Sequence, residues 1–217
     1  MELYHLLNRG VEKRDIVLDD RDRARFVHDL FAFNDLNLVQ HISQPTRRNN
    51  NFSTERNQLV DIHAFCLMNN HYHLLVSARK ENGIPIFMKK LNMGYAKYFN
   101  ERYERVGTLW QGKYKKILIE REAHYLYIPY YIHLNPLDYF FPEWRSGTVK
   151  NVRRALLKLR EYRWSSHLDY VGAQNFPSVI SRRLLHSEIG SGKRYEDRIL
   201  SLMQDPKLTA ESYLIEN

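Results

Sequence analysis

A chain of 217 residues with 33 Lys and Arg against 25 Asp and Glu carries a formal net charge of +8, and its pI is near 9.5. A hydrophobic content of 43% excludes general disorder, and no run reaches the ~18 apolar residues of a membrane span. One cysteine excludes an internal disulfide, and the opening residues lack a charged and then apolar leader, so the expected compartment is a reducing cytoplasm.

Residues 3–8 predict a short strand closed by the turn signal Asn8-Arg9-Gly10. Asp19 and Asp20 precede a helix over 21–36, where Ala24, Val27, Leu30, Phe31 and Asn34 follow helical spacing. Residues 40–58 are polar, include Arg47 and Arg48, and predict a long surface loop. Residues 59–68 and 71–78 form two strands joined at Asn69-Asn70, a β-hairpin, with Cys66 buried in its first strand. A helix follows over 84–102, with Ile86, Phe87, Leu91, Tyr95, Tyr98 and Phe99 at spacings of three and four. Tyr114, Ile117 and Ile119 mark a strand over 109–120. A last helix spans 122–134, with Pro129 inside it and Pro136 just beyond.

The order β-α-β-β-α-β plus a helix predicts an α+β fold, a ferredoxin-like antiparallel sheet with helices on one face. The division falls at residue 141: residues 1–141 form the core and 142–217 a helical C-terminal extension, with helices over 152–161 and around 195–203. Beyond about residue 177 no segment carries a chemical motif.

His71 and His73 lie two apart on a strand, so both imidazoles leave one face and can converge on one ion. Packed or hydrogen-bonded strand histidines give the same pattern, and His63 on the neighbouring strand reads as core or surface. On the last helix Tyr131 and Asn135 are one turn apart on one face. Pro136 pushes Asn135 off helical backbone angles, which predicts a helix end with its amide exposed. That amide oxygen is a hard neutral ligand for a divalent metal, and equally a helix cap. The positive balance favours polyanions, and 15 tyrosines offer aromatic faces to unstacked bases. A basic protein with a tyrosine-rich core has the same composition, so nucleic acid is suggested without being decided.

Taken together these motifs resemble a known family. Phe65-Cys66-Leu67-Met68-Asn69-Asn70-His71-Tyr72-His73-Leu74-Leu75-Val76 is similar to the HUH motif of single-tyrosine transposases, and Tyr131-Ile132-His133-Leu134-Asn135-Pro136 to their catalytic-helix signature. Tyr95-Ala96-Lys97-Tyr98-Phe99-Asn100, Gly107-Thr108-Leu109-Trp110-Gln111-Gly112-Lys113-Tyr114-Lys115, Asn8-Arg9-Gly10 at the front, and Trp164-Ser165-Ser166 with Tyr170 and Gly172 behind extend the resemblance over about residues 3–172, nearest to the REP-associated subgroup. The resemblance implies His71, His73 and Asn135 as ligands of a divalent metal, Mg²⁺ or Mn²⁺, and Tyr131 as nucleophile. It implies cleavage and rejoining of single-stranded DNA at hairpin-flanked palindromic repeats through a 5′-phosphotyrosine, by a monomer or homodimer. No phosphate-cradling Gly-rich loop is present, which agrees with a reaction needing no nucleotide.

Tyr130 and Tyr127 are the rival nucleophiles; Tyr130 points about 100° away from Tyr131 and Tyr127 has no adjacent ligand. The sequence departs from the family pattern at Tyr72, at Asn69, at Asp138, where a basic residue is common, and at Pro129, which should kink the helix. Arg9, Lys113, Lys115, Lys116, Arg47 and Arg48 are candidate contacts to the DNA backbone. The competing functions are a nucleic-acid-binding protein that does not cut and another HUH endonuclease.

Overall fold

The computed structural model describes residues 1–37 and 56–205. Strands β1 (Leu3–Arg9), β2 (Val60–Leu67), β3 (His71–Ala78) and β4 (Lys115–Leu118) form one antiparallel sheet in the order β2-β3-β1-β4, the ferredoxin-like arrangement. The hairpin of β2 and β3 turns at Asn69-Asn70 as expected, with Leu67 opposite Tyr72. Helix α1 (Asp20–Ala32) starts at Asp19, whose carboxylate accepts from the Asp22 amide at 3.0 Å. It packs with α2 (Gly83–Arg102) on one face of the sheet, burying Phe26, Leu30, Phe87 and Tyr95 against Leu6, Tyr72 and Leu74.

The opposite face is also covered. Helix α3 (Glu122–Leu134) and the C-terminal helices α4 (Val152–Glu161), α5 (His167–Tyr170), α6 (Arg183–Ile189) and α7 (Lys193–Gln204) bury Leu3, Ala64, Cys66 and Leu75. Strand β3, His-Tyr-His-Leu-Leu-Val-Ser-Ala, is accordingly buried along nearly its whole length, with neither face left to water. Apolar contacts run without a break from α3 into the extension, through Trp144, Leu159, Tyr195 and Leu202. No helix of the described residues is long and apolar enough to cross a membrane.

Two local expectations change, and the helix expected to contain Pro129 keeps its bounds. The strand predicted over 109–120 shortens to Lys115–Leu118, because Trp110 turns into the α1–α2 core. There its indole donates to the Asn92 carbonyl at 2.9 Å and packs edge-on against Tyr72. Helix α1 stops at Ala32, and Asn34, placed on its face by spacing, instead serves β2. Its side chain accepts from the Leu59 and Val60 amides and donates to the Val60 carbonyl. Pro129 lies inside α3, which runs on through it as one helix.

Buried histidines fasten α3 to the extension. His133 lies 2.5 Å from the Tyr195 hydroxyl through Nδ1 and 2.6 Å from the Ser166 hydroxyl through Nε2. His167 packs against both His133 and Tyr195, and neither of its ring nitrogens has a partner among the described residues. Burial, with a smaller repulsion from Arg160, pushes the His167 pKa down to about 3. The unfolded ring takes up a proton near pH 6.5 and the folded ring only near 3, so acidification favours unfolding across that window. Between pH 7 and pH 5 such a ring costs about 2 kcal/mol of stability. His167→Phe should therefore narrow the gap between the Tm at pH 7 and at pH 5, read by circular dichroism; an unchanged gap would mean that the folded ring takes up its proton as readily as the unfolded one.

Candidate active site

The alternation of β3 sends His71 and His73 to the sheet face covered by α3, and Tyr72 to the opposite face. The two imidazoles stand edge to face with ring centroids 4.9 Å apart. Tyr72 donates to Asn92 Oδ1 at 2.7 Å and packs on Phe26, so its departure from the family pattern serves the core. His63 is also structural: its ring nitrogens meet Ser77 Oγ at 2.8 Å and the Ser181 carbonyl oxygen at 3.1 Å.

A third imidazole, which sequence reasoning missed, completes the pair. His5 on β1 stacks on His73 with centroids 5.1 Å apart, and its Nε2 lies 2.9 Å from His73 Nδ1. One proton is shared in that contact. If His73 Nδ1 donates it, His73 Nε2 keeps a lone pair, and that nitrogen is buried with no partner among the described residues. His71 Nδ1 faces Asn70 Oδ1 at 2.6 Å, an acceptor, so His71 Nε2 likewise carries a lone pair. Burial, helped for His71 by Arg9, lowers the His71 pKa to about 4. Burial, His71 and His5 push the His73 pKa well below its ordinary value. Both rings are thus neutral at physiological pH, as ligation requires. Among the described residues no three His, Cys, Asp or Glu side chains form a metal cage. Among the described residues a third protein donor would come from another residue type, and the Asn135 amide is of the right kind. An orphaned buried Nε2 and two adjoining neutral rings fit a divalent ion.

Tyr131, at 0% exposure, presents its ring to His73 and His5 at 5.8 and 6.2 Å between centroids. Asn135 lies one turn on, as spacing predicts, but its backbone differs from expectation. It keeps helical angles (φ −49°, ψ −38°) and is fully buried, because the chain continues as a short 3-10 helix, Asn135–Tyr139. Pro136 occupies the first turn of that helix, where no backbone donor is needed. The Asn135 amide nitrogen donates to the Tyr131 carbonyl at 2.8 Å, which aims its oxygen away from α3.

That oxygen meets a residue the sequence did not single out. Just beyond the boundary at residue 141, a 3-10 helix, Pro142–Ser146, returns Arg145 to the site. Arg145 Nη1 donates to the Tyr131 hydroxyl at 3.3 Å and Nη2 to Asn135 Oδ1 at 3.2 Å. Asp138 grips the same guanidinium with both oxygens, at 2.9 and 2.7 Å, and accepts from the Trp144 indole at 2.7 Å. Burial alone would lower the Arg145 pKa, but Asp138 and the Tyr131 phenol hold it raised, so the cation is fixed. No local pattern announces Arg145; only Asp138, acidic where a basic residue was expected, hints at a recruited cation.

The rival tyrosines separate. Tyr130 faces away, stacked on Tyr195 and donating to the Ile189 carbonyl at 3.2 Å. Tyr127 packs its ring 6.2 Å from that of Tyr131, one turn further from Asn135. Of the basic candidates, Arg9, Lys113 and Lys115 line one cavity of about 340 Å³ with Gln111 and Gly112, beside the histidines. Lys116 pairs with Leu6 on the other face and sits over the Tyr4 ring at 3.9 Å, so it is not brought to this cavity. Arg47 and Arg48 lie outside the described residues.

Residues 46–135, from before the hairpin through Asn135, match the family described as transposase, IS200 like. Over this segment, less than half of the chain, the sequence is similar to the IS200-like transposases. The matched stretch contains both histidines, Tyr131 and Asn135, and stops ten residues short of Arg145. No curated protein matches the chain. Among solved structures, one described as a REP-associated tyrosine transposase bound to a REP hairpin aligns at 12% identity with a TM-score of 0.45, over 83% of this chain and 84% of that one.

Proposed function

We propose that this chain cleaves and rejoins single-stranded DNA at hairpin-flanked repeats through a 5′-phosphotyrosine on Tyr131. The observation carrying the proposal is the meeting of Tyr131 with the His5 and His73 rings, the latter packed on His71, and with Asn135 through Arg145. His71, His73 and Asn135 would hold the divalent ion, Mg²⁺ or Mn²⁺, and His5 would fix the His73 tautomer. When bound, such an ion supplies positive charge to the phosphate oxygens. The Tyr131 oxygen attacks phosphorus and gives up its proton, while the bond to the 3′-oxygen breaks and that oxygen leaves as a 3′-hydroxyl. A 3′-hydroxyl from a second strand reverses the exchange, so the ester is conserved and no nucleotide is consumed.

Arg9, Lys113 and Lys115 are proposed to run the DNA backbone along the cavity beside the histidines. Replacing Lys113 and Lys115 by Ala should weaken hairpin binding and flatten its dependence on log salt by about 0.7 to 0.9 per lysine. Lys116→Ala should leave that slope unchanged, and equal effects from all three would argue against the cavity as the path.

One observation favours a second function, binding without cleavage: Tyr131 is 0% exposed, whereas a nucleophile must meet a phosphate that arrives from solvent. Incubating the protein with single-stranded hairpin oligonucleotides and Mg²⁺ separates the two. A covalent adduct mapped to Tyr131 supports cleavage; tight binding with no adduct supports the binder.

A further inference from the structure

Arg145 touches both Tyr131 and Asn135. Its guanidinium has five N–H groups, and four are engaged: Nε and one Nη2 hydrogen on Asp138, the other Nη2 hydrogen on Asn135, and one Nη1 hydrogen on the Tyr131 hydroxyl. The other Nη1 hydrogen has no acceptor among the described residues. The side chain is 30% exposed while Tyr131 is 0% exposed, so an anion from solvent meets the guanidinium before the phenol. Trp144 backs the group, with the guanidinium carbon 4.8 Å from its ring centroid, and Asp138 fixes its plane through two parallel hydrogen bonds.

We propose that Arg145 is a catalytic residue of the DNA-cleaving site, holding the Tyr131 oxygen with one Nη1 hydrogen while the other receives the scissile phosphodiester. This role rests on the function proposed above and adds to it the group that brings nucleophile and phosphate onto one nitrogen. A guanidinium suits the task because its donors are coplanar and its charge is permanent. Asp138 is the positioning residue: it orients Arg145 without touching the reacting atoms.

The test measures covalent adduct formation by the full chain on a labelled single-stranded DNA hairpin with Mn²⁺, alongside hairpin affinity and Tm. Arg145→Gln should slow adduct formation by about 100-fold or more and change hairpin affinity by less than about threefold. Arg145→Lys, which keeps the charge and cannot span Asp138 and Tyr131 together, should recover part of that loss. Added guanidinium should partly restore Arg145→Ala, which a merely structural role would not allow. Asp138→Asn should slow the step by about tenfold, because the pair loses one charge-assisted bond. Adduct formation by Arg145→Gln within threefold of wild type would overturn the proposal. So would a loss matched by lowered Tm and unrelieved by guanidinium. A wild-type protein that binds the hairpin and never forms an adduct removes the cleavage function and this role with it.

Discussion

Tyr131→Phe is expected to end covalent attachment to DNA, with adduct formation falling by more than about 10⁴-fold. The substitution removes one oxygen and leaves the ring, so the contacts with His5, His73, Tyr127 and Trp144 persist. Arg145 loses one acceptor and stays pinned by Asp138 through two bonds. Stability should change by no more than about 1 kcal/mol, the net worth of one hydrogen bond, and hairpin affinity should hold. Tyr130→Phe keeps the adduct, since that hydroxyl points to the Ile189 carbonyl. Denaturing gels of labelled oligonucleotide, with peptide mapping of the attachment site, read the result. An adduct that survives in Tyr131→Phe moves the chemistry to another residue, with Tyr127 the nearest alternative.

The second large effect is expected at the histidines. His71→Ala should weaken Mn²⁺ binding by at least about 100-fold, measured by calorimetry, and adduct formation should fall with it. His71 is half-buried at the start of β3, so its loss leaves the sheet intact. His73→Ala should match it in metal affinity and add a stability cost of about 2 to 4 kcal/mol. The difference arises because His73 is fully buried, stacks on His5 and supplies the partner of His5 Nε2. Mn²⁺ affinity that persists in both variants would show that the imidazole pair holds no metal. A variant of His5 offers an intermediate case: His5→Phe keeps the stacking surface and releases the His73 tautomer, so metal affinity should fall by about 10-fold.

What was legible in the sequence was whatever a strand or helix repeats locally. Alternation put His71 and His73 on one face and Tyr72 on the other, and the four-residue spacing put Tyr131 and Asn135 together. The order of elements gave the ferredoxin-like sheet, with α1 and α2 on one face. Asn135 shows where a local rule failed. The residue before a proline is biased toward extended angles, yet burial and the bond to the Tyr131 carbonyl held it helical. Trp110 shows the same override in a strand, since one buried indole outweighed the propensity of its neighbours.

By itself the sequence determined the hairpin, the paired imidazoles, the tyrosine one turn before its amide, and a positive charge suited to polyanions, because each is a repeat or composition that needs no partner elsewhere. Tertiary structure alone decided which side chains complete the site. His5 meets His73 across two strands 68 positions apart, and Arg145 meets Tyr131 only because a 3-10 turn brings the chain back. Such contacts depend on strand order and on the path of the chain after α3, and no short-range period encodes either.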